Sequence, residues 1–415
     1  MRSSAYTGGR ERPVIRRSAM LELDTDAALA ELVRHRRELH RIPELDFCLP
    51  ETIAYIERVL EPLSCTVIHP CDGCVCALFD TGSARTVAIR ADMDALPIAE
   101  ATGVPFASAH EGRMHACGHD AHMAMVLTLA GWLDQVVRER PGALPRNVLL
   151  VFQPAEETTG GAARVCASGV FERNQVERIF GFHVWPDLPW GSLASRPGPL
   201  LARASEVHIS IHGQSTHIAK TFGLTVEETH DAALAAARFL VAERWLVRKL
   251  GQDEPIVAHF GLLQAGTVCN AVAGEAVLAG SVRVFSDAMF ERAKEELART
   301  LEEACSSCGC TYDIDIAEGY PPVTNDDALF ECAATVLPEL QRIDEPLLIA
   351  EDFAFYQRHI PGVFFLLGVG APQDEQAACG DLSCATTALH TDAFMFDERV
   401  LLEGLSVYRR LVALP

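Results

Sequence analysis

Apolar residues recur three and four positions apart over residues 26 to 40, which predicts an amphipathic helix, and Pro43 in HRIPELDF ends that run. ETIAYIERVLEPL predicts a second helix. The spacing then changes. CVCALFD and TVAIRADMDALP read as strands, and AHMAMVLTLAGWLDQVVRER reads as a long helix that stops before Pro141 and Gly142. NVLLVFQPAEE is strand-like again, GAARVCASGVFE is helical, and RIFGFHVWP is another apolar strand. Such alternation predicts an α/β sheet with helices on its faces.

Near residue 200 the pattern shifts. In RPGPLLARASEVHISIHGQ, Val207, Ile209 and Ile211 share one face of a half-buried strand. A helix over about 225 to 249 follows, then PIVAHFGLLQ and AVLAGSVRVFS as strands, AMFERAKEELARTLEEACSS as a helix and a strand near YDIDIAE. Strand–helix–strand–strand–helix–strand is the split βαβ order of a small, ferredoxin-like α+β sandwich. Afterwards α/β patterning resumes. The expectation is an α/β domain over residues 26–200 and 315–415, interrupted by an inserted α+β domain over 201–314, with residues 1–25 as a disordered tail.

Composition narrows the partners. A net charge of −22 on 415 residues argues against nucleic acid and anionic membrane surfaces. No apolar run is long enough to span a bilayer, and the basic first 20 residues lack the apolar core of a signal peptide, so a cytoplasmic location is expected. Among 14 cysteines, Cys71, Cys74 and Cys76 form CxxCxC, and Cys305, Cys308 and Cys310 repeat it. Each cluster supplies only three thiols, so free thiols are expected rather than a structural zinc or iron–sulfur site.

The densest chemistry is MHACGHDAHM. On one helix face His115, His119 and His122 would align; in an extended segment His115, Cys117 and His119 would. Gly118 argues against a regular helix there. The reading is therefore Cys117 and His119 on a loop, Asp120 capping the following helix and His122 beside the site in its first turn. Such ligands suit a zinc-like metal better than a Cys–His nucleophile, and the remaining ligands must come from elsewhere. Asp92 and Asp94 follow one apolar strand, and Glu156 and Glu157 follow another. His183 ends RIFGFHV, and His390 lies in ALHTDAF. Sites in open α/β sheets gather at strand carboxyl ends. Of two adjacent glutamates, one can bind metal while the other serves as general base.

RADMDALP, MHACGHDAHM, FQPAEE, FHVWPDLPWG, EDFAFY and LHTDAFMFDE occur in that order and resemble the metal-dependent amidohydrolases related to aminoacylase and carboxypeptidase G. The branch they resemble includes hippurate hydrolase, auxin-conjugate hydrolases and N-acetyl-diaminopimelate deacetylase. The resemblance implies two divalent metal ions (manganese, zinc, cobalt or nickel), with Cys117 bridging and His119, Glu157, His183 and His390 as ligands. It implies Glu156 as catalytic base and Asp94 as the acid that orients a ligand. The inserted domain is implied to be a lid and dimerisation domain, so a homodimer is expected. Within it His217 would meet the scissile carbonyl, and Asn270 and Arg283 would hold the substrate carboxylate. By residue type alone these three read as a loop histidine, a turn residue and a paired strand arginine.

The implied reaction is hydrolysis of the amide of a small-molecule N-acyl amino acid. GQSTHIAKTFGLTVEETHDA departs from the pattern, lacking the glycine pair before His217 and a Pro-His after it, so substrate preference does not carry over. Rival readings are a dipeptidase or carboxypeptidase-like peptidase and a non-catalytic binder of acyl amino acids or peptides; the intact Glu156 argues against the binder. The H-x-E and P-C-x-x-C signature of zinc deaminases is not reproduced.

Overall fold

A computed structural model describes residues 23–371 and 387–415. Most of the segment expected as a tail lies outside those residues, and Thr25 already opens the first helix. The chain runs α1 (Thr25–His40), α2 (Pro50–Leu60), β1 (Thr66–Ile68), β2 (Val75–Phe79), β3 (Thr86–Asp92), α3 (His119–Glu139), β4 (Asn147–Gln153), α4 (Gly161–Ala167), α5 (Val170–Arg173) and β5 (Val176–Trp185). It continues through β6 (Leu193–Ser195), β7 (Gly198–Leu201), β8 (Arg203–His212), α6 (Ala232–Leu250), β9 (Ile256–Ala265), β10 (Glu275–Val284), α7 (Asp287–Ser306) and β11 (Thr311–Ile316). It ends with β12 (Val323–Asn325), α8 (Asp327–Val336), β13 (Leu340–Arg342), α9 (Ala354–Gln357), β14 (Gly362–Gly368) and α10 (Leu401–Val412).

The larger sheet has eight strands in the order β1-β2-β4-β3-β5-β14-β6-β13. Its centre, β4-β3-β5-β14, is parallel. β3 and β14 are buried along their whole length; β14 reads as an apolar run, and in β3 the apolar VAI is followed by the buried Arg90 and Asp92. Alternate side chains go to opposite faces. Val148, Leu150 and Phe152 of β4 pack in the core that also holds Leu32, Leu129 and Leu405 of α1, α3 and α10. Leu149 and Val151 pack with Val165 and Phe353 on the other face. Parallel register sets Asp92 of β3 opposite Gln153 of β4, so the carboxyl ends of the central strands lie together.

β11-β8-β10-β9 form a second, wholly antiparallel sheet with a core of its own, in which Val207, Ile209 and Ile211 meet Phe239 of α6 and Phe290 of α7. The polar positions that alternate with them on β8, Glu206 and His208, are exposed. α6 starts at Ala232, later than its apolar spacing suggests. The Asp231 carboxylate caps the amides of Ala233 and Leu234, and residues 218–221 and 227–229 form short 3₁₀ turns instead. The two crossings between the sheets run side by side, since β7 pairs antiparallel with β12. No helix among the described residues is long and apolar enough to cross a membrane.

Candidate metal centre

The chain bends sharply at Gly118. The backbone there has φ +88, and a β-carbon would stand 2.5 Å from Val184 Cγ2, so only glycine suits both the conformation and the space. The bend ends the MHAC segment and starts α3 at His119. Gly118 takes the cap position with no side-chain hydrogen bond, and Asp120, expected there, sits in the first turn. Its carboxylate accepts the Ala121 amide through Oδ1 at 2.9 Å and pairs through Oδ2 with His40 Nδ1 at 2.8 Å and Arg36 Nε at 3.3 Å.

Around the bend, distant segments converge. Cys117 Sγ lies 3.2 Å from His183 Nε2 and 3.3 Å from His390 Nε2. Glu157 Oε1 is 3.3 Å from His390 Nε2 and 3.8 Å from His119 Nε2. Two triads share the thiol: Cys117 with His119 and His183, and Cys117 with Glu157 and His390. In each, the ligand atoms lie within 4.8 Å of one another. His390 reaches the cluster because its amide donates to the Ala116 carbonyl at 2.9 Å, and its backbone is held at φ 60. A non-glycine residue in that region is strained, and such strain gathers at functional sites.

Hydrogen bonds set the imidazole tautomers. His119 Nδ1 donates to the Asp94 carbonyl at 2.7 Å and His183 Nδ1 to the Val184 carbonyl at 2.7 Å, leaving both Nε2 atoms for the cluster. His122 is different. Its Nδ1 donates to Asp92 at 2.6 Å and its Nε2 accepts the Val184 amide at 3.0 Å, so neither nitrogen is free to bind a metal. His122 therefore stands beside the site and braces it. The Asp94 carboxylate accepts the amides of Glu156 at 2.9 Å and Glu157 at 3.0 Å, tying the glutamate loop to the segment that holds His119.

The site is strongly negative. Burial alone would keep His119 neutral, yet Asp92, Asp94 and Glu157 around it lift its pKa to about 10. Burial, with Glu157 and Glu156 nearby, pushes the Cys117 thiol well up, so a thiolate here needs compensating cations. Burial and the neighbouring Glu351 and Glu157 push Glu156 well up too. Burial and the nearby His122 hold His183 down, at about 3. His119 Nε2 and Glu157 Oε1 are buried without a hydrogen-bond partner, a condition that a bound cation relieves.

Beneath the cluster is a part that residue patterns did not reveal. Arg90, fully buried, pairs with Asp92 at 2.5 Å, Glu351 at 2.9 Å and Asp352 at 2.9 Å. Asp92 in turn orients His122, and the Tyr320 hydroxyl donates to the Glu156 carbonyl at 2.7 Å. The RADMD and EDF spellings were the only sequence signal for this network.

Cys117, Glu156, Glu157, His183 and His390 line a cavity of about 520 Å³, and Arg283 lines it with them, its Nη1 donating to the Leu348 carbonyl. His217 and Asn270 do not line it. Both are exposed on loops of the four-stranded sheet, where they neighbour each other: the Ile218 amide donates to the Asn270 carbonyl at 3.0 Å, and His217 Nδ1 accepts the Ala219 amide at 3.2 Å. The structure thus joins seven of the expected residues at one site, with Arg283 at its edge, and leaves these two apart. Among the described residues, neither CxxCxC cluster forms a three-ligand group, and all twelve described cysteines are free.

Thiol, imidazole and carboxylate ligands converge at strand carboxyl ends, beside a cavity, as in a metal-dependent hydrolase. The chain belongs to the peptidase family M20/M25/M40, whose family model matches residues 88–413. It is 35% identical over 355 residues to the N-acetyldiaminopimelate deacetylase of Streptococcus uberis, covering 83% of this chain and 92% of that one. It is 32% identical over 389 residues to an uncharacterized hydrolase of Staphylococcus saprophyticus, covering 92% and 96%. A solved Bacillus subtilis protein, YXEP, described as a dinuclear metal-binding peptidase of family M20, superposes with a TM-score of 0.77 at 31% identity, over 94% of this chain and 98% of that one.

Proposed function

We propose that this chain hydrolyses the amide of an N-acyl amino acid, with Cys117, His119, Glu157, His183 and His390 holding two divalent metal ions. The observation that carries the reading is the pair of triads sharing Cys117, in which His119 Nε2 and Glu157 Oε1 are buried without a hydrogen-bond partner. The donors fit: thiolate and imidazole suit zinc, and the carboxylate extends the range toward manganese. Bound there, such ions would polarise the amide carbonyl and acidify a water.

Glu156 is the base of this reading. Its carboxylate takes the water's proton and hands it to the leaving nitrogen. Its raised proton affinity suits a group that must hold that proton between the two steps. Asp94 and Tyr320 fix its backbone from two sides. Arg283 binds the substrate carboxylate through its forked guanidinium. Trp185, Leu201, Phe364 and Leu389 give the cavity an apolar wall for the acyl group.

The four-stranded unit serves in this reading as lid and dimer contact. Its edge strand β9 exposes Val257, Leu262 and Leu263, and α6 exposes Val241 and Trp245. An unpaired, apolar edge suits a second copy. His217 and Asn270 then meet substrate by movement of that unit or from the second copy, His217 at the developing oxyanion and Asn270 at the carboxylate. The amide is that of an N-acetyl or N-aroyl amino acid. N-acetyldiaminopimelate heads the panel because relatives in Streptococcus and Lacticaseibacillus carry that name.

The test pairs metal content by mass spectrometry with hydrolysis across N-acyl amino acids, before and after chelation and re-addition of manganese, zinc or cobalt. Two metals per chain, with activity lost on chelation and restored by metal, support the proposal. Protein that takes up no metal with Cys117 reduced overturns it.

A further inference from the structure

We infer that Cys71 and Cys74 are a dithiol that oxidises reversibly to a disulfide. They end a four-residue turn, Cys71-Asp72-Gly73-Cys74, closed by a 3.2 Å hydrogen bond from the Cys74 amide to the Cys71 carbonyl. Gly73 sits at φ +75, the left-handed conformation that closes such a turn. A closed turn brings its first and fourth α-carbons within about 7 Å, overlapping the span of roughly 4.4–6.8 Å that a disulfide bridges. The two thiols stand close enough that each shifts the other's proton affinity.

The two thiols differ in exposure. Cys71 is half-buried, whereas Cys74 is 1% exposed. The neighbouring Cys74 thiol lowers the Cys71 pKa against burial and Asp72, and Arg164 adds to the effect. Burial and the flanking thiols raise that of Cys74. Cys71 is thus the attacking thiol and Cys74 the resolving one. The second cluster, at the end of α7, lacks the first role: Cys305, Cys308 and Cys310 are 1%, 0% and 8% exposed.

The oxidant is a low-molecular-weight disulfide such as oxidised glutathione. The Cys71 thiolate attacks one of its sulfurs, forming a mixed disulfide and expelling one small thiolate. Cys74 then loses its proton and attacks Cys71 Sγ, expelling the second small thiolate, and both thiolates take up protons. Two protein thiols are oxidised, and one small disulfide is reduced to two thiols.

The turn backs the glutamate loop. A β-carbon on Gly73 would stand 3.2 Å from Pro154 Cβ and 3.1 Å from the Phe47 carbonyl, so the turn is packed against the residue two before Glu156.

The full-length protein is incubated with oxidised glutathione under native conditions, alkylated, digested and mapped by mass spectrometry. The expected result is a peptide carrying an internal Cys71–Cys74 disulfide that dithiothreitol reverses, with Cys305, Cys308 and Cys310 still reduced. Cys74→Ala should trap glutathione on Cys71, and Cys71→Ser should leave Cys74 reduced. A stable glutathione adduct on Cys71 of the parent overturns the inference. So does an unmodified pair in a sample where the exposed Cys48, Cys269 and Cys332 have reacted. If Cys74→Ala does not fold, the parent and Cys71→Ser still decide.

Discussion

Replacing Gly118 with alanine tests whether the bend between Cys117 and His119 organises the centre. Two costs add. Holding an L-residue in the left-handed conformation costs about 1–2 kcal/mol. The added carbon, 2.5 Å from Val184 Cγ2, must push a fully buried side chain aside, an overpacking of about 1–3 kcal/mol. The sum is about 2–5 kcal/mol. The displacement also reaches chemistry, because Val184 follows His183 and its amide holds His122 Nε2 at 3.0 Å. Urea unfolding should therefore show a lower midpoint at an unchanged slope, and metal content after dialysis should fall. Gly131→Ala is the control. It lies within α3 with nothing near its added carbon, so it should stabilise by about 0.5–1 kcal/mol and leave metal content alone. A Gly118→Ala protein within about 0.5 kcal/mol of the parent, with full metal content, would refute the argument.

Arg90→Met strands Asp92, Glu351 and Asp352 in the core and should cost about 3–5 kcal/mol in urea or thermal unfolding. Glu156→Gln should lower amide hydrolysis by about 10²–10⁴-fold while metal content, read by mass spectrometry, stays the same. His35 should make the fold acid-sensitive. Burial and Arg34 hold its folded pKa at about 4, below the ordinary 6.5, so between those values the unfolded chain binds more protons. Its contribution, about 3 kcal/mol at most, is complete above pH 6.5 and is lost as pH falls toward 4. Urea midpoints measured across that window should show a shallower slope for His35→Phe than for the parent; equal slopes would remove His35 as the source.

Wherever a property depends on near neighbours in the chain, the residues alone determined it. Period-two alternation in EVHISI decided which side chains of β8 face the core, because a pleated strand sends successive residues to opposite faces. Apolar runs such as VAI in β3 and VFFLLG in β14 marked central parallel strands, because a strand covered on both faces is mostly apolar. The glycine in CGHD marked the bend, and the liganding residue types marked the chemistry. Tertiary structure decided what depends on distant partners. His390 lies 273 residues from Cys117 and arrives through one backbone hydrogen bond to Ala116. His122 was expected beside the site, and what keeps it there is tertiary: Asp92 and the Val184 amide, brought in by packing, occupy its nitrogens. Asp120 resembled the helix cap; in the fold it lies in the first turn, its Oδ1 accepting the Ala121 amide while His40 and Arg36 hold its Oδ2. Arg90 collects three carboxylates from two segments, a pairing that no local pattern encodes. His217 and Asn270 stand on loops of the four-stranded unit away from the cavity that Arg283 of the same unit lines, a placement set by contacts between whole elements and not by residue spacing. A side chain's type limits what it can bind; packing decides which of those partners it meets.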